Sequence, residues 1–270
     1  MNYLIVADLS EFNGYIDWPT LAQNVDGVIV RAGYRGWGGG NIVKDSRCRE
    51  LLVHAQAQGI PLGLYFVTQA INESEAAAEA DFCANMAKDV PLRLPVFWDT
   101  ELAGGAGGKG RADNLSAEQR TSCAMAFAKR ARELGLNPGV YCSDSWLTDR
   151  LTAQWLRVDR LPLWLASYPA RKGAVDVPPK NAWDAWQYTA TGRVTGVTGD
   201  VDVSWFKREL FKGHFSDTAG HWAEEYINRV KEAGLMNGKS ERLFAPNDVL
   251  TRAELAAVLC RLLDRMEAEQ

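Results

Sequence analysis

The segment Leu94–Glu101, LPVFWDTE, ends an apolar run on two carboxylates one residue apart, Asp99 and Glu101. On a strand, side chains two apart share a face, with Cα atoms roughly 7 Å apart. Burying an unpaired carboxylate is so costly that a fold keeps such a pair only where water or a substrate reaches it. Neighbouring carboxyl groups also drive their pKa values apart, which suits proton donation near neutral pH. The bland alternative is a strand that has simply ended, with Asp99 and Thr100 opening a turn.

Short apolar runs alternate with helical patterns on both sides of this segment. Tyr3–Ala7, Gly27–Ala32, Leu62–Val67, Leu94–Trp98, Pro138–Cys142, Pro162–Ala166, Ala182–Tyr188 and Asp200–Val203 read as strands. Arg47–Gln58, Glu73–Ala87 and Ala117–Leu134 read as helices, the last two opened by Asn72 with Glu75 and by Ser116 with Gln119 in capping-box spacing. This alternation predicts an α/β fold with a mostly parallel sheet, closed or nearly closed into a barrel, over residues 1–212.

On that register the polar residues collect at the C-terminal strand ends, where the loops of a parallel barrel converge. Asp8, Asp99, Glu101 and Asp202 form an acidic set there, with Arg31, Tyr34, Tyr65, Tyr141, Trp164 and the Trp186-Gln187-Tyr188 run beside it. The chain has ten tryptophans. Each taken alone is more often core than site, and Trp98 is expected to pack behind Asp99, whereas Trp186 is expected to line a groove. Sugar rings stack their C–H faces on such aromatics and offer hydroxyls to carboxylates and amides. Acids and aromatics together therefore point to glycoside hydrolysis, in which one carboxylic acid protonates the leaving oxygen and another negative group stabilises the anomeric centre. Glu101, with the longer arm, is the expected proton donor.

Other chemistries find little support. A net charge of −4 gives no reason to expect a nucleic-acid partner. The five cysteines, Cys48, Cys83, Cys123, Cys142 and Cys260, are scattered among apolar neighbours and predict buried reduced thiols. With three histidines and no Cys/His cluster, neither a metal site nor a cofactor is expected. The glycine-rich Gly104–Gly110 lacks the Lys-Ser/Thr ending and the spacing of a phosphate loop, and reads as a mobile loop, as does Gly36–Gly40. No apolar run is long enough to span a bilayer, and the chain opens directly as a strand with no cleavage-site pattern. That predicts synthesis in the cytoplasm without a signal peptide.

The pattern changes at residue 213, after which Trp222, Tyr226, Ile227 and Val230, and then Leu255, Val258, Leu259 and Leu262, recur at helical spacing. Thr251 and Glu254 form a further capping box. Residues 213–270 thus read as a small all-α helix-loop-helix module, near the size at which a core alone is marginal.

The barrel segments VADLSEFNGYIDW, VIVRAGYRG, GLYF, PVFWDTE, GVYCSDSW, PLWLASYP and AWQYTATGRVTGVTGDVDVSWF resemble glycoside hydrolase family 25, the Chalaropsis-type lysozymes. The resemblance implies a flattened, irregular TIM-like barrel that cuts the β-1,4 bond between N-acetylmuramic acid and N-acetylglucosamine. It makes Glu101 the catalytic acid and gives Asp99 the 2-acetamido group or the oxocarbenium-like centre, with Asp8 and Asp202 completing the acids. Arg31, Tyr34, Tyr65, Tyr141, Trp186 and Gln187 become substrate-binding candidates. Two departures are Trp98, where the family often has Ile, Val or Leu, and Ser204, where it often has Asn.

The tail segments FSDTAGHWAEEYI and FAPNDVLTRAEL resemble one S-layer homology motif, which implies binding of secondary cell-wall polysaccharide, with Arg252 and Trp222 as candidates. Such motifs usually act in threes, so one copy implies tails that associate, most simply as a homotrimer. The expectation is a peptidoglycan hydrolase, a phage or prophage endolysin ahead of an autolysin exported by another route, acting on the bacterial wall after release. The alternatives are a chitinase-like N-acetylglucosaminidase or a non-catalytic wall-binding protein.

Overall fold

Every apolar run expected to be extended forms a strand. The strands are β1 (Tyr3–Leu9), β2 (Gly27–Arg35), β3 (Ile42–Lys44), β4 (Leu62–Val67), β5 (Val96–Asp99), β6 (Pro138–Ser143), β7 (Leu163–Ala166), β8 (Ala185–Gly192) and β9 (Val201–Lys207). The computed structural model describes residues 3–103, 109–168, 178–211, 215, 217–218, 221–240 and 243–268. Within it the chain divides into two units, Met1–Leu210 and Phe211–Gln270.

In the first unit β1, β2, β4, β5, β6, β7 and β8 run parallel in that order, and β9 inserts antiparallel between β8 and β1, closing an irregular mixed barrel. The short β3, which three residues of weak pattern did not reveal, adds an antiparallel edge to β2. Helices α1 (Trp18–Ala22), α2 (Cys48–Ala57), α3 (Glu73–Met86), α4 (Ala117–Glu133), α5 (Asp144–Asp149) and α6 (Ala153–Val158) lie in the connections. Asn72 caps α3, and the Ser116–Gln119 box opens α4 as its spacing predicts. Glu75 does not complete a box with Asn72; its carboxylate accepts from the Ile71 amide and holds Arg111 through both oxygens, at 2.9 Å each.

Strand alternation sorts the side chains into two layers. Outward-facing Val28, Val30, Leu64, Phe66, Val96, Trp98, Val140 and Cys142 pack with Leu51, Ala80, Cys83, Ala124 and Phe127 of the helices in one core. Facing inward, Phe97, Trp164 and Phe206 meet in tilted and edge-to-face pairs with ring centres 5.1 to 5.9 Å apart, and fill the barrel floor. Gly139 makes room for them, since a Cβ there would fall 2.5 Å from the Phe97 ring.

On the outer side of β8, β9 and β1 an aromatic cluster forms. Trp186 packs against Trp183, Tyr188 and Trp205, and Trp205 lies parallel to Tyr3. This corrects the groove-lining expectation for Trp186, which is 2% exposed and donates its indole N–H to the Ser167 carbonyl.

The second unit holds α7 (Glu224–Glu232) and α8 (Arg252–Ala268). Phe215 and Ile227 are buried, the Phe215 ring meets Phe244 at 5.2 Å, and Asp217 accepts from the Phe244 and Ala245 amides. The Thr251–Glu254 box opens α8 as expected. Trp222, expected within the first helix, precedes it. The apolar positions Leu255, Leu259, Leu262, Leu263 and Met266 of α8 stay exposed, and so does Cys260, against the expectation of buried thiols.

Gly139→Ala overpacks the barrel floor and should lower stability by about 1–3 kcal/mol. Urea denaturation of the full chain measures it; an unchanged midpoint would mean that Phe97 can move aside.

Candidate active site

Closure of the barrel brings the four expected acids to one mouth. Asp8 near the end of β1 and Asp202 near the start of β9 are direct partners across the antiparallel pair, while Asp99 ends β5 and Glu101 follows it. Asp8 and Asp99 are buried, Asp202 is half-buried, and Glu101 is open to solvent although protein surrounds its carboxyl closely.

Crowding and desolvation raise the proton affinity of all four. Burial pushes Asp8 well above the usual carboxylate range, reinforced by Asp202 and opposed by the Tyr65 hydroxyl and by Arg31. Burial does the same to Asp99, reinforced by Glu101 and Asp8, with Arg31 again opposing. Glu101 is raised by desolvation and then by Asp202. Desolvation lifts Asp202 to about 6. Together the four retain protons at a pH where isolated carboxyls have lost them.

One amide organises the set. The Gln187 side-chain carbonyl accepts from the Tyr141 hydroxyl at 2.7 Å and from the Tyr168 hydroxyl, so its NH2 must face the acids. That NH2 donates to Asp8 at 3.3 Å and to Asp202 at 3.4 Å. The Asp99 Oδ1 atom, by contrast, is buried with no hydrogen-bond partner among the described residues. A buried acceptor left open at the edge of a solvent-reachable mouth is a position for a donor on a ligand, or for the carboxyl's own proton.

Beside Glu101 opens a cavity of about 320 Å³ lined by Phe12, Arg31, Tyr34, Trp37 and Gln69 among others. Tyr34 thus faces the groove. Arg31 reaches its edge, but Nε is committed to Asp45 and Nη2 to Glu11, each at 2.8 Å. Its role here is to supply positive charge to Asp8 and Asp99, and two donors that the sequence reading assigned to substrate are already in use. Tyr65 and Tyr141 act on the acids, Tyr65 through Asp8 and Tyr141 through Gln187. Trp164 sits in the floor beneath them, edge-on to both tyrosines.

Sequence reasoning passed over Tyr168, Phe12 and Trp37. The period of β8 could have located the first: if Gln187 faces inward, its carbonyl needs donors, and Tyr168 follows the neighbouring strand. The loop after Glu101 is strapped by Asp113, which accepts from the Ala103 and Gly110 amides. Residues 104–108 of the glycine-rich stretch, read as mobile, lie outside the described residues.

A closed α/β barrel with proton-holding carboxyls at its mouth and an aromatic-walled groove beside them defines the class of barrel glycosidases. The chain belongs to glycosyl hydrolases family 25, whose model matches residues 7–197, and residues 214–256 match the S-layer homology domain. It is 24% identical over 207 residues to an autolytic lysozyme of Clostridium acetobutylicum, covering 76% of this chain and 56% of that protein. To lysozyme M1 of Streptomyces globisporus it is 29% identical over 207 residues, covering 74% and 66%. Among solved structures it is similar to the modular autolysin LytC of Streptococcus pneumoniae, with a TM-score of 0.63 and 28% identity over 76% of this chain and 47% of that one. The chain therefore spans about half to two thirds of the length of these relatives.

Asp202→Asn tests the electrostatics. Below about pH 4 folded and unfolded chains both hold this proton, so wild type and variant should respond alike to pH. Between about pH 4 and 6 the unfolded chain releases a proton that the fold retains, and wild type loses stability as pH rises. At pH 7 the variant should be more stable by on the order of 1–3 kcal/mol, a gap that closes toward pH 4. Urea midpoints at pH 4, 5.5 and 7 read it, and a pH-independent difference would sink the assignment.

Proposed function

We propose that this chain is a peptidoglycan hydrolase, an N-acetylmuramidase that cuts the β-1,4 bond between N-acetylmuramic acid and N-acetylglucosamine. The observation that carries the reading is the set of four carboxyls with raised proton affinity at the mouth of a family 25 barrel. Glu101, the most accessible of the four, donates its proton to the glycosidic oxygen as the bond to the anomeric carbon breaks. The open Oδ1 of Asp99 accepts from the 2-acetamido N–H or faces the positive anomeric carbon. Water then adds to that carbon, and its proton returns to a carboxylate of the set. Asp202, lifted only to about 6, is ionised near neutral pH and faces the developing charge, while the Gln187 amide holds it beside Asp8. Tyr34 and the neighbouring aromatic wall receive sugar faces.

The Phe211–Gln270 unit serves as the wall-targeting module, with secondary cell-wall polysaccharide as its ligand. Trp222, 82% exposed, and the exposed Arg252 are the binding residues. The apolar stripe left open on α8 supports association of tails from several chains, most simply three, into the composite grooves that one motif cannot form alone. Sedimentation equilibrium across a hundredfold concentration range should show a species larger than the monomer; a monomer throughout that still pellets with walls would overturn the association. A catalytic barrel paired with a wall module favours a phage or prophage endolysin, with an autolysin as the alternative; expression timed to lysis selects the former.

Wild type and Glu101→Gln incubated with purified peptidoglycan, followed by borohydride reduction and mass spectrometry, test the chemistry. Wild type should release chains ending in reduced muramic acid, and the variant should be slower by at least about a hundredfold. Reduced glucosamine ends would instead make the enzyme an N-acetylglucosaminidase. Wall binding without any new end would make the barrel a non-catalytic binder.

A further inference from the structure

Behind the mouth lies a buried carboxylate that the reaction does not use. Glu79 of α3 is completely buried, and its two oxygens take three side-chain bonds. Oε1 accepts from the Arg35 Nε at 2.6 Å. Oε2 accepts from the Trp98 indole at 2.9 Å and from the Thr68 hydroxyl at 2.8 Å. Trp98 directly precedes Asp99, and the Thr68 amide donates to the Asp99 carbonyl at 2.8 Å. One carboxylate therefore grips the residue before Asp99 and the residue that holds its backbone from the neighbouring strand. The same Glu79 fixes Arg35, whose guanidinium also binds the Gly40 and Glu75 carbonyls and lines the groove beside Glu101.

Asp99 needs such support. Its Oδ1 has no hydrogen bond among the described residues, so the position of that oxygen depends the more on where the β5 backbone sits. Glu101 and Asp8 crowd it, and a strand end free to yield would let the carboxyls drift apart. An indole at position 98 supplies a donor that an aliphatic residue there could not.

We propose that Glu79 is a positioning residue for the reaction, acting through Trp98 and Thr68 to hold the β5 end so that Asp99 and Glu101 stay in register with the bond to be cut. The inference rests on the hydrolase reading above. Displacements of about 1 Å at reacting groups cost up to a hundredfold in rate while leaving binding largely intact.

Trp98→Phe keeps a buried aromatic ring while removing the indole N–H and part of the ring volume, and it is the more informative variant because Glu79→Ala strands a buried Arg35. With the full chain on purified peptidoglycan, Trp98→Phe should fold, melt above the assay temperature, and lose about tenfold in kcat with KM within about twofold of wild type. Glu79→Gln, which still offers an oxygen to Trp98 and Thr68, should retain more kcat than Glu79→Ala. The Glu79→Ala and Trp98→Phe losses in kcat should be less than additive when combined, because each removes the same bond. A folded Trp98→Phe with wild-type kcat, a loss confined to KM, or strict additivity would each overturn the positioning role while leaving the hydrolase reading intact. A wild-type chain that releases no new ends would overturn both.

Discussion

Four carboxyl groups in one mouth repel one another, and most of what surrounds them can be understood as the means by which the fold tolerates that repulsion. Two of them, Asp8 and Asp202, share the two hydrogens of the Gln187 amide, and two tyrosine hydroxyls lock that amide's orientation. Arg31 contributes a positive charge from the side, itself restrained by Asp45 and Glu11 so that it cannot collapse onto the acids. Burial does the remainder by keeping protons on the carboxyls. The result is a site whose proton inventory is set by geometry more than by any single residue.

The same crowding is met by the packing around the acids. Aromatic rings fill the floor below the acids without polar atoms that could rotate to solvate them, apart from the Trp164 indole, which is occupied by Ser204. Behind the strand end, Glu79 pairs with Arg35 in a fully buried setting, an arrangement that contributes little net stability but specifies one geometry. Nearer the surface, Arg111 ties the loop after Glu101 to Glu75, and its backbone amide donates to the Trp37 carbonyl.

Much of this was legible in the sequence, for a physical reason. Buried parallel strands write themselves as short apolar runs, and the acids that interrupt those runs at their ends have few places to go but the mouth. The losses have physical reasons too. Trp186 and Gln187 were both placed in the groove, yet neighbours on a strand face opposite sides; once Gln187 is bonded to Asp8, Trp186 must be outside. Arg31 read as a ligand for substrate because its partners, Asp45 and Glu11, are 14 and 20 residues away, and nothing local marks the pairs. The role of Glu79 is invisible for the same reason, since on α3 it looks like one acid among several. In the smaller unit helical periodicity located both helices, though Trp222 falls before the first, and periodicity does not say whether an apolar face has anything to cover it; on α8 that face is open.

The closing seam of the barrel has a consequence for how the protein comes to life. Asp8 belongs to the first strand and Asp202 to the last, and they become neighbours only when β9 slides in beside β1. Nearly two hundred residues of chain must be made and folded between the two. Contacts so distant in sequence form late and slowly. A ribosome-bound or truncated product lacking the last strand has no complete mouth, however well its other strands are arranged. Topology thus acts as an interlock: the acidic mouth is assembled by the same event that completes the barrel.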